Sequence, residues 1–134
     1  VVASQLVSWD TSSLEDGLYA LQLVVLLEEQ RVEKASTVVS VDNSPPEFQL
    51  VNDLTGKEIA LDDAPVILFQ VAPEVPDEIQ KVRFTLDNQR LSTREFPPFV
   101  HPWEPEIGRH QLRVLVVDLA GNQAEQEIEF RVLP

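Results

Sequence analysis

A repeat that is present only one and a half times constrains this chain more than any other feature. Trp9-Asp10 and the run DGLYALQLVV (16–25) recur as Trp103-Glu104 and the run IGRHQLRVLV (107–116). Gly17 falls on Gly108, Leu21 on Leu112 and Val25 on Val116, each at an offset of 91. The register continues past this core, because Val39 and Val41 stand 91 residues before Phe130 and Val132. A unit of roughly 90 residues is a usual size for an immunoglobulin-like sandwich. The Trp pair is offset by 94 instead, so the loop between Trp and Gly is three residues longer in the first copy. On that offset Val1 matches Glu95, and the first copy lacks the counterpart of residues 47–94. The chain is therefore expected to begin in mid-domain, as a piece of a longer polypeptide. It contains no Met, even at position 1.

Between the copies lies Asp42-Asn43-Ser44-Pro45-Pro46, where two prolines remove two backbone donors and disfavour continued strand pairing. The expected division is residues 1–43 as the C-terminal half of a truncated Ig-like repeat, 44–46 as a stiff prolyl linker, and 47–134 as a complete Ig-like domain. Period-two alternation dominates throughout, and no sustained helical period of 3.6 appears. In the first part strands are expected at 2–8, 18–27 and 32–41, with a polar turn near 28–31. In the second they are expected at 48–52, 66–72, 82–86, 90–93, 99–103, 111–118 and 124–132. A Gly56 turn and a tight Asp87-Asn88 turn separate some of them. The predicted fold class is all-β, an antiparallel immunoglobulin-like β-sandwich. Its core is expected from Ile67, Phe69, Val71, Val82, Phe84, Leu86, Leu112, Val114, Val116, Ile128, Phe130 and Val132.

Charge excludes some partners. With 23 acidic against 10 basic residues the formal charge is -13, which repels nucleic acid and anionic membrane surfaces. Glu125, Glu127 and Glu129 recur with period two, as on one solvated strand face. The apolar runs, such as 114–117, have the length of strands and fall far short of the ~20 residues of a spanning helix. Without cysteine there is neither a disulfide framework nor a thiolate metal site.

Several residues bear on chemistry. Tyr19, in Asp16-Gly17-Leu18-Tyr19, suits a tyrosine corner, in which the hydroxyl bonds an upstream carbonyl; His110 takes the same place in the second copy and can donate similarly. A lone His without a second ligand is weak ground for a metal or acid–base centre. Asp118-Leu119-Ala120-Gly121-Asn122 reads as a hairpin turn, with Gly121 and Asn122 able to take positive φ and Asp118 able to bond nearby amides. Loop carboxylates Asp62, Asp63, Asp77 and Glu78, with Asp42 and Asn43 at the linker, supply oxygens of the kind calcium takes, yet no calcium-loop spacing is present. Trp9 and Trp103 are either sugar platforms or packing residues, and their shared repeat position favours packing. No nucleophile elbow, SxxK pattern or Gly-rich phosphate loop occurs. Accordingly no catalytic, cofactor-binding or metal-binding residue is expected, and no cofactor.

These features resemble bacterial immunoglobulin-like and fibronectin type III-like repeats of envelope and secreted proteins. The stretches that carry the likeness are 9–21, 41–46, Val82-Arg83-Phe84-Thr85-Leu86-Asp87, Trp103 and 118–122. A narrower resemblance is to the C-terminal extension of class A penicillin-binding proteins, through Pro102-Trp103-Glu104-Pro105, Gly108-Arg109-His110-Gln111-Leu112 and Val117-Asp118. That likeness implies a non-catalytic, extracytoplasmic spacer or docking module of a cell-wall enzyme, since none of the family's transferase or transpeptidase motifs is here. The partners it implies are the other domains of the parent chain, with peptidoglycan or an envelope protein as further candidates. The alternatives are a carbohydrate-binding module of a secreted glycosidase and an adhesin-type stalk repeat. Half a sandwich cannot cover both of its faces, so Leu21, Leu23, Val39 and Val41 are expected to seek cover, on the second unit or in a dimer with another copy.

Overall fold

A computed structural model describes residue 5 and residues 7–134, and the chain divides into two compact units, Val1–Ser44 and Pro45–Pro134. In the first unit β1 (Gly17–Leu26) pairs antiparallel with β2 (Val32–Val41) over ten residue pairs, from Gly17↔Val41 to Leu26↔Val32. A 3-10 turn, Glu28–Gln30, joins them, with Glu29 and Gln30 at positive φ. The strand expected over 2–8 falls largely outside the described residues; Gln5, Val7 and Ser8, which are described, are not in a strand.

The second unit holds β3 (Phe48–Leu50), β4 (Glu58–Ala60), β5 (Ile67–Pro73), β6 (Ile79–Leu86), β7 (Gln89–Arg94), β8 (Phe99–Trp103), β9 (Gly108–Asp118) and β10 (Gln123–Leu133). Five strands form one sheet in the order β4-β10-β9-β6-β7, and three form the other in the order β3-β5-β8. This is an all-β sandwich of the Ig-like and fibronectin type III-like kind. Strict alternation explains which side faces in. In β5 Ile67, Phe69 and Val71 are buried while Leu68 and Ala72 face water, and β10 buries Ile128, Phe130 and Val132 between exposed Glu127, Glu129 and Arg131. In β6 the buried Ile79 and Val82 are three residues apart, which plain alternation would put on opposite faces. A register shift between Ile79 and Lys81 against β9 lets both point inward.

All twelve expected core residues are buried, and Val82, Phe84, Val114 and Val116 are fully so. Leu54, Ile79, Phe99 and Trp103 complete the cluster. Burial on this scale contributes about 1.5–3 kcal/mol per large side chain before conformational entropy is set against it. Asp87 and Asn88, at φ 50° and 65°, make the two-residue turn between β6 and β7; two positive φ values in succession give the type I′ geometry, whose twist matches the strands.

One pairing departs from the antiparallel expectation. The short strand β4 runs parallel to the end of β10, with Arg131↔Glu58 and Leu133↔Ala60. Three residues are too few to show a period. What holds them is backbone bonding, Gly56 N–H to the Glu129 carbonyl at 2.8 Å and Arg131 N–H to the Lys57 carbonyl at 3.0 Å.

The two hairpins match residue for residue. Gly17↔Val41 corresponds to Gly108↔Val132, Tyr19↔Val39 to His110↔Phe130, and Leu21↔Thr37 to Leu112↔Ile128. Thus β1 and β2 repeat β9 and β10 in pairing as well as in sequence.

Candidate functional site

In each unit the Trp and the Tyr or His singled out above meet where the Trp loop enters the repeat hairpin. In the second unit Trp103, at the end of β8, lies 5.5 Å from Phe69 in a stacked arrangement and edge-on to Phe130 at 5.8 Å. His110, from β9, meets the Trp103 ring edge-on at 4.9 Å and Phe130 at 5.6 Å. Phe69 and Trp103 belong to the three-stranded sheet, His110 and Phe130 to the five-stranded one, so this cluster joins the two layers. Edge-to-face contacts of this kind add to the area they bury. With only 9% of its surface exposed, Trp103 is a core residue and offers no sugar-stacking face.

His110 is buried, and both its ring nitrogens are engaged. Nε2 donates to the Glu106 carbonyl at 2.7 Å, and Nδ1 lies 2.7 Å from Asp87 Oδ2. Asp87 Oδ1 in turn accepts the Gln111 N–H at 2.8 Å, and the Asp87 N–H bonds the Gln111 carbonyl. One imidazole therefore ties the Trp-to-Gly loop to the β6–β7 turn. A second link crosses between the layers at β7 and β8, where Ser92 Oγ and His101 Nδ1 are 2.8 Å apart. Burial, and then the positive charge of Arg94, pushes His101 below the ordinary imidazole value.

The first unit uses the same plan with different chemistry. The Tyr19 hydroxyl donates to the Glu15 carbonyl at 2.7 Å, four residues back, as His110 does to Glu106. Trp9 lies edge-on to Tyr19 at 6.1 Å, although it is half-exposed. Asp16, just before β1, collects the end of the unit. Its Oδ1 accepts the Asn43 N–H at 2.6 Å and its Oδ2 the Ser44 hydroxyl at 2.5 Å. The Asn43 amide donates to the carbonyls of Thr11 and Leu14, both at 2.9 Å. These donors, Ser44 first and Asn43 next, hold the Asp16 carboxyl below the usual aspartate value.

Asp118 closes the β9–β10 turn. It is 3% exposed, and its carboxylate accepts the Asn122 N–H at 2.8 Å and the Asn122 side-chain amide at 3.0 Å. Gly121 takes positive φ as expected, but Asn122 does not; its side chain, drawn to Asp118, serves the turn instead. The other loop acids do not converge. Asp62 and Asp63 sit in one 3-10 turn and Asp77 and Glu78 in another, and among the described residues no three His, Cys, Asp or Glu side chains meet in a group that could hold a metal ion. An open depression of about 400 Å³ is lined by Lys57, Glu58, Asp87, Arg109, Glu129 and Arg131 among others. Its lining holds three acids, Glu58, Asp87 and Glu129, and three bases, Lys57, Arg109 and Arg131, so it presents no field of one sign.

No protein-family model matches the chain. Over 128 residues, 96% of its length, the chain is 30% identical to "Uncharacterized protein YvnB" of Bacillus subtilis strain 168, of which it spans 9%. Among solved structures it is similar to the fibronectin(III)-like modules of Clostridium thermocellum CbhA. The TM-score is 0.52 and the identity 18%, with 87% of this chain and 63% of that chain covered. It also matches a Cellulomonas fimi endo-beta-1,4-mannanase double mutant at TM-score 0.45 and 15% identity, over 66% of this chain and 18% of that one. At 18% identity the likeness to CbhA is one of fold.

The shared corner predicts unequal mutational effects. Trp103→Ala should destabilise the second unit by about 3–5 kcal/mol, as for other large-to-small core changes, whereas Trp9→Ala should cost the first unit much less; urea unfolding followed by the amide NMR signals of the mutated unit itself would measure both. His110→Ala should cost about 2 kcal/mol or more, through two lost hydrogen bonds and a cavity, while His110→Tyr should recover part of it by restoring the carbonyl bond. Asp16 predicts a local pH dependence. Its folded-state pKa is depressed, so the stability it contributes is fully present above about pH 4 and is lost as pH falls through the depressed value. The Asn43 amide should therefore lose protection, measured as its exchange relative to the intrinsic rate at each pH, on acidification below about pH 4, and in Asp16→Asn that acid-induced step should vanish, as NMR would read directly.

Proposed function

We propose that this chain is a non-catalytic, extracytoplasmic Ig-like accessory module that serves as a spacer within a much longer protein. The observation that carries this reading is the exchange of Tyr19 for His110 at one repeat position. What the two copies share is a donor aimed at the carbonyl four residues back, with a Trp ring edge-on beside it. A phenol and an imidazole differ widely as acids and bases, so their interchange points to a constraint of architecture. Three carboxylates are committed in the same way, Asp118 to Asn122, Asp87 to His110 and Gln111, and Asp16 to Asn43 and Ser44. Extracytoplasmic placement rests on the resemblance to repeats of envelope and secreted proteins.

The finer attribution, to the C-terminal extension of a class A penicillin-binding protein, rests on the motifs around Trp103, Gly108 and Val117-Asp118. The carbohydrate-binding alternative would have to use Trp9, because Trp103 is inside the core.

Two measurements separate these readings. Mixed with peptidoglycan fragments and soluble polysaccharides, the chain should show no turnover and no saturable heat in calorimetry. Turnover would overturn the non-catalytic reading, and saturable heat abolished by Trp9→Ala would replace the spacer with a carbohydrate-binding module. The full-length protein should be labelled covalently by a fluorescent penicillin if it is a penicillin-binding protein; absence of label would remove that attribution and leave the spacer standing.

A further inference from the structure

Three loops meet at one end of the second unit. The register sets Ile79 opposite Asp118, Val82 opposite Arg94 and Gln123 opposite Val117, so the β5–β6, β7–β8 and β9–β10 loops all reach that end. Phe96, in the β7–β8 loop, is 79% exposed, and Leu119, in the β9–β10 turn, is 69% exposed; they are the two most exposed large apolar side chains of the unit. Both line one open depression of about 480 Å³, together with Pro76 from the β5–β6 loop and Pro97. The loops are braced on one another. The Leu119 N–H donates to the Glu78 carbonyl at 2.8 Å, the Glu78 N–H to the Val75 carbonyl at 3.1 Å, and the buried Asp118 carboxylate closes the turn on Asn122. Anchors held in place before binding lose little freedom when a partner arrives.

Charge in these loops has one sign. Residues 74–78, 95–98 and 119–122 carry Glu74, Asp77, Glu78 and Glu95 and no base. The charged residues that line the depression are Asp77 and Glu95, whereas the depression beside His110 balances acids with bases. Glu47 adds a fifth acid at the same end, where its carbonyl accepts the Glu74 N–H at 3.0 Å. A side-chain hydrogen bond with Glu47, and then its negative charge, hold the Glu74 carboxyl above the ordinary glutamate value. Like charges crowded at one end repel, and a cation brought by a partner relieves them.

We propose that this end of the second unit docks a cationic polypeptide segment, which sets an apolar side chain between Phe96 and Leu119 and Lys or Arg side chains against Asp77 and Glu95. An apolar centre with a charged rim is the anatomy of a protein interface. The sign of the rim selects the occupant. A second copy of this chain, at -13, meets repulsion here, as do nucleic acid and anionic membranes. A guanidinium or ammonium meets free carboxylates, which it bonds with charge assistance. The surface goes beyond the spacer reading, because a spacer needs no such end.

The test titrates the isotope-labelled chain with three short synthetic peptides, one alternating Lys with Leu, one alternating Lys with Ser, and one alternating Glu with Leu. The Lys–Leu peptide should shift the amides of Phe96 and Leu119 saturably, and more weakly as salt is raised. The Lys–Ser peptide, of equal charge, should bind about 10-fold more weakly or worse, as expected when an interface loses its central anchor, and Phe96→Ser should weaken the Lys–Leu peptide by a similar factor. Unmoved amide signals in β9 and β10 would show that the variant is folded, and Leu119→Ser serves as the second variant. Asp77→Asn combined with Glu95→Gln should remove most of the salt dependence. Equal affinity for the Lys–Ser peptide would reduce the effect to charge alone, and equal affinity for the Glu–Leu peptide to apolar contact alone; either overturns the proposal. So would shifts centred on Glu125, Glu127 and Glu129, the absence of any saturable shift, or shifts at Phe96 that grow with protein concentration without peptide, which would make the occupant a second copy.

Discussion

The structure depends on one constraint of the β-hairpin: alternate side chains go to opposite faces, and a face lined with Leu, Val and Phe must be covered. In the second unit β9 and β10 meet this by sending His110, Leu112, Val114, Val116, Ile128, Phe130 and Val132 under the three-stranded sheet. The opposite face carries Arg113, whose guanidinium bridges Glu125 at 3.2 Å and Glu127 at 3.4 Å, so the acidic stripe is partly neutralised where it is densest. Such exposed pairs contribute little each. The apolar face holds the unit together, and the charged face keeps its outer side solvated.

Pairing and cover are separable. The first unit keeps the pairing of β9–β10 in full, including the corner bond to a carbonyl four residues back, yet leaves Leu23 half in water. Local sequence is enough to specify register, because the Gly that opens the strand and the donor two residues later recur in both copies. Stability is a different matter. It comes from strands distant in the chain, such as β5 and β8, whose Ile67↔Trp103 and Val71↔Phe99 pairs bring Phe99 and the Trp103 indole over the core. The Trp103 cluster then fixes the packing of one layer on the other, and His110 holds the loop that presents it.

Much of this was legible in the sequence because it follows from a period. Alternation located β5, β6, β9 and β10 and their inward residues, and the repeat position favoured packing for Trp103 and a corner bond to a carbonyl for His110. What escaped lacks a period. Leu54 is buried from a loop, β4 is three residues held by backbone bonds to β10, and Ile79 reaches the core only through an irregularity against β9. The Asp87 contact to His110 was illegible for another reason, since it joins a turn to a strand 23 residues away and nothing in the spacing announces it. The network around Asp16 was equally hidden, because Asn43 and Ser44 read as linker residues until the fold brings them back to the start of β1.

Amide hydrogen exchange across the whole chain tests the central claim most directly, that register is local while stability requires the covering sheet. The account predicts that the paired amides of β9 and β10 exchange only through unfolding of the second unit, with one common free energy. The equivalent amides of β1 and β2, in the same register, should exchange faster by orders of magnitude. Equal protection of the two hairpins in the isolated chain would contradict it, since pairing alone would then suffice.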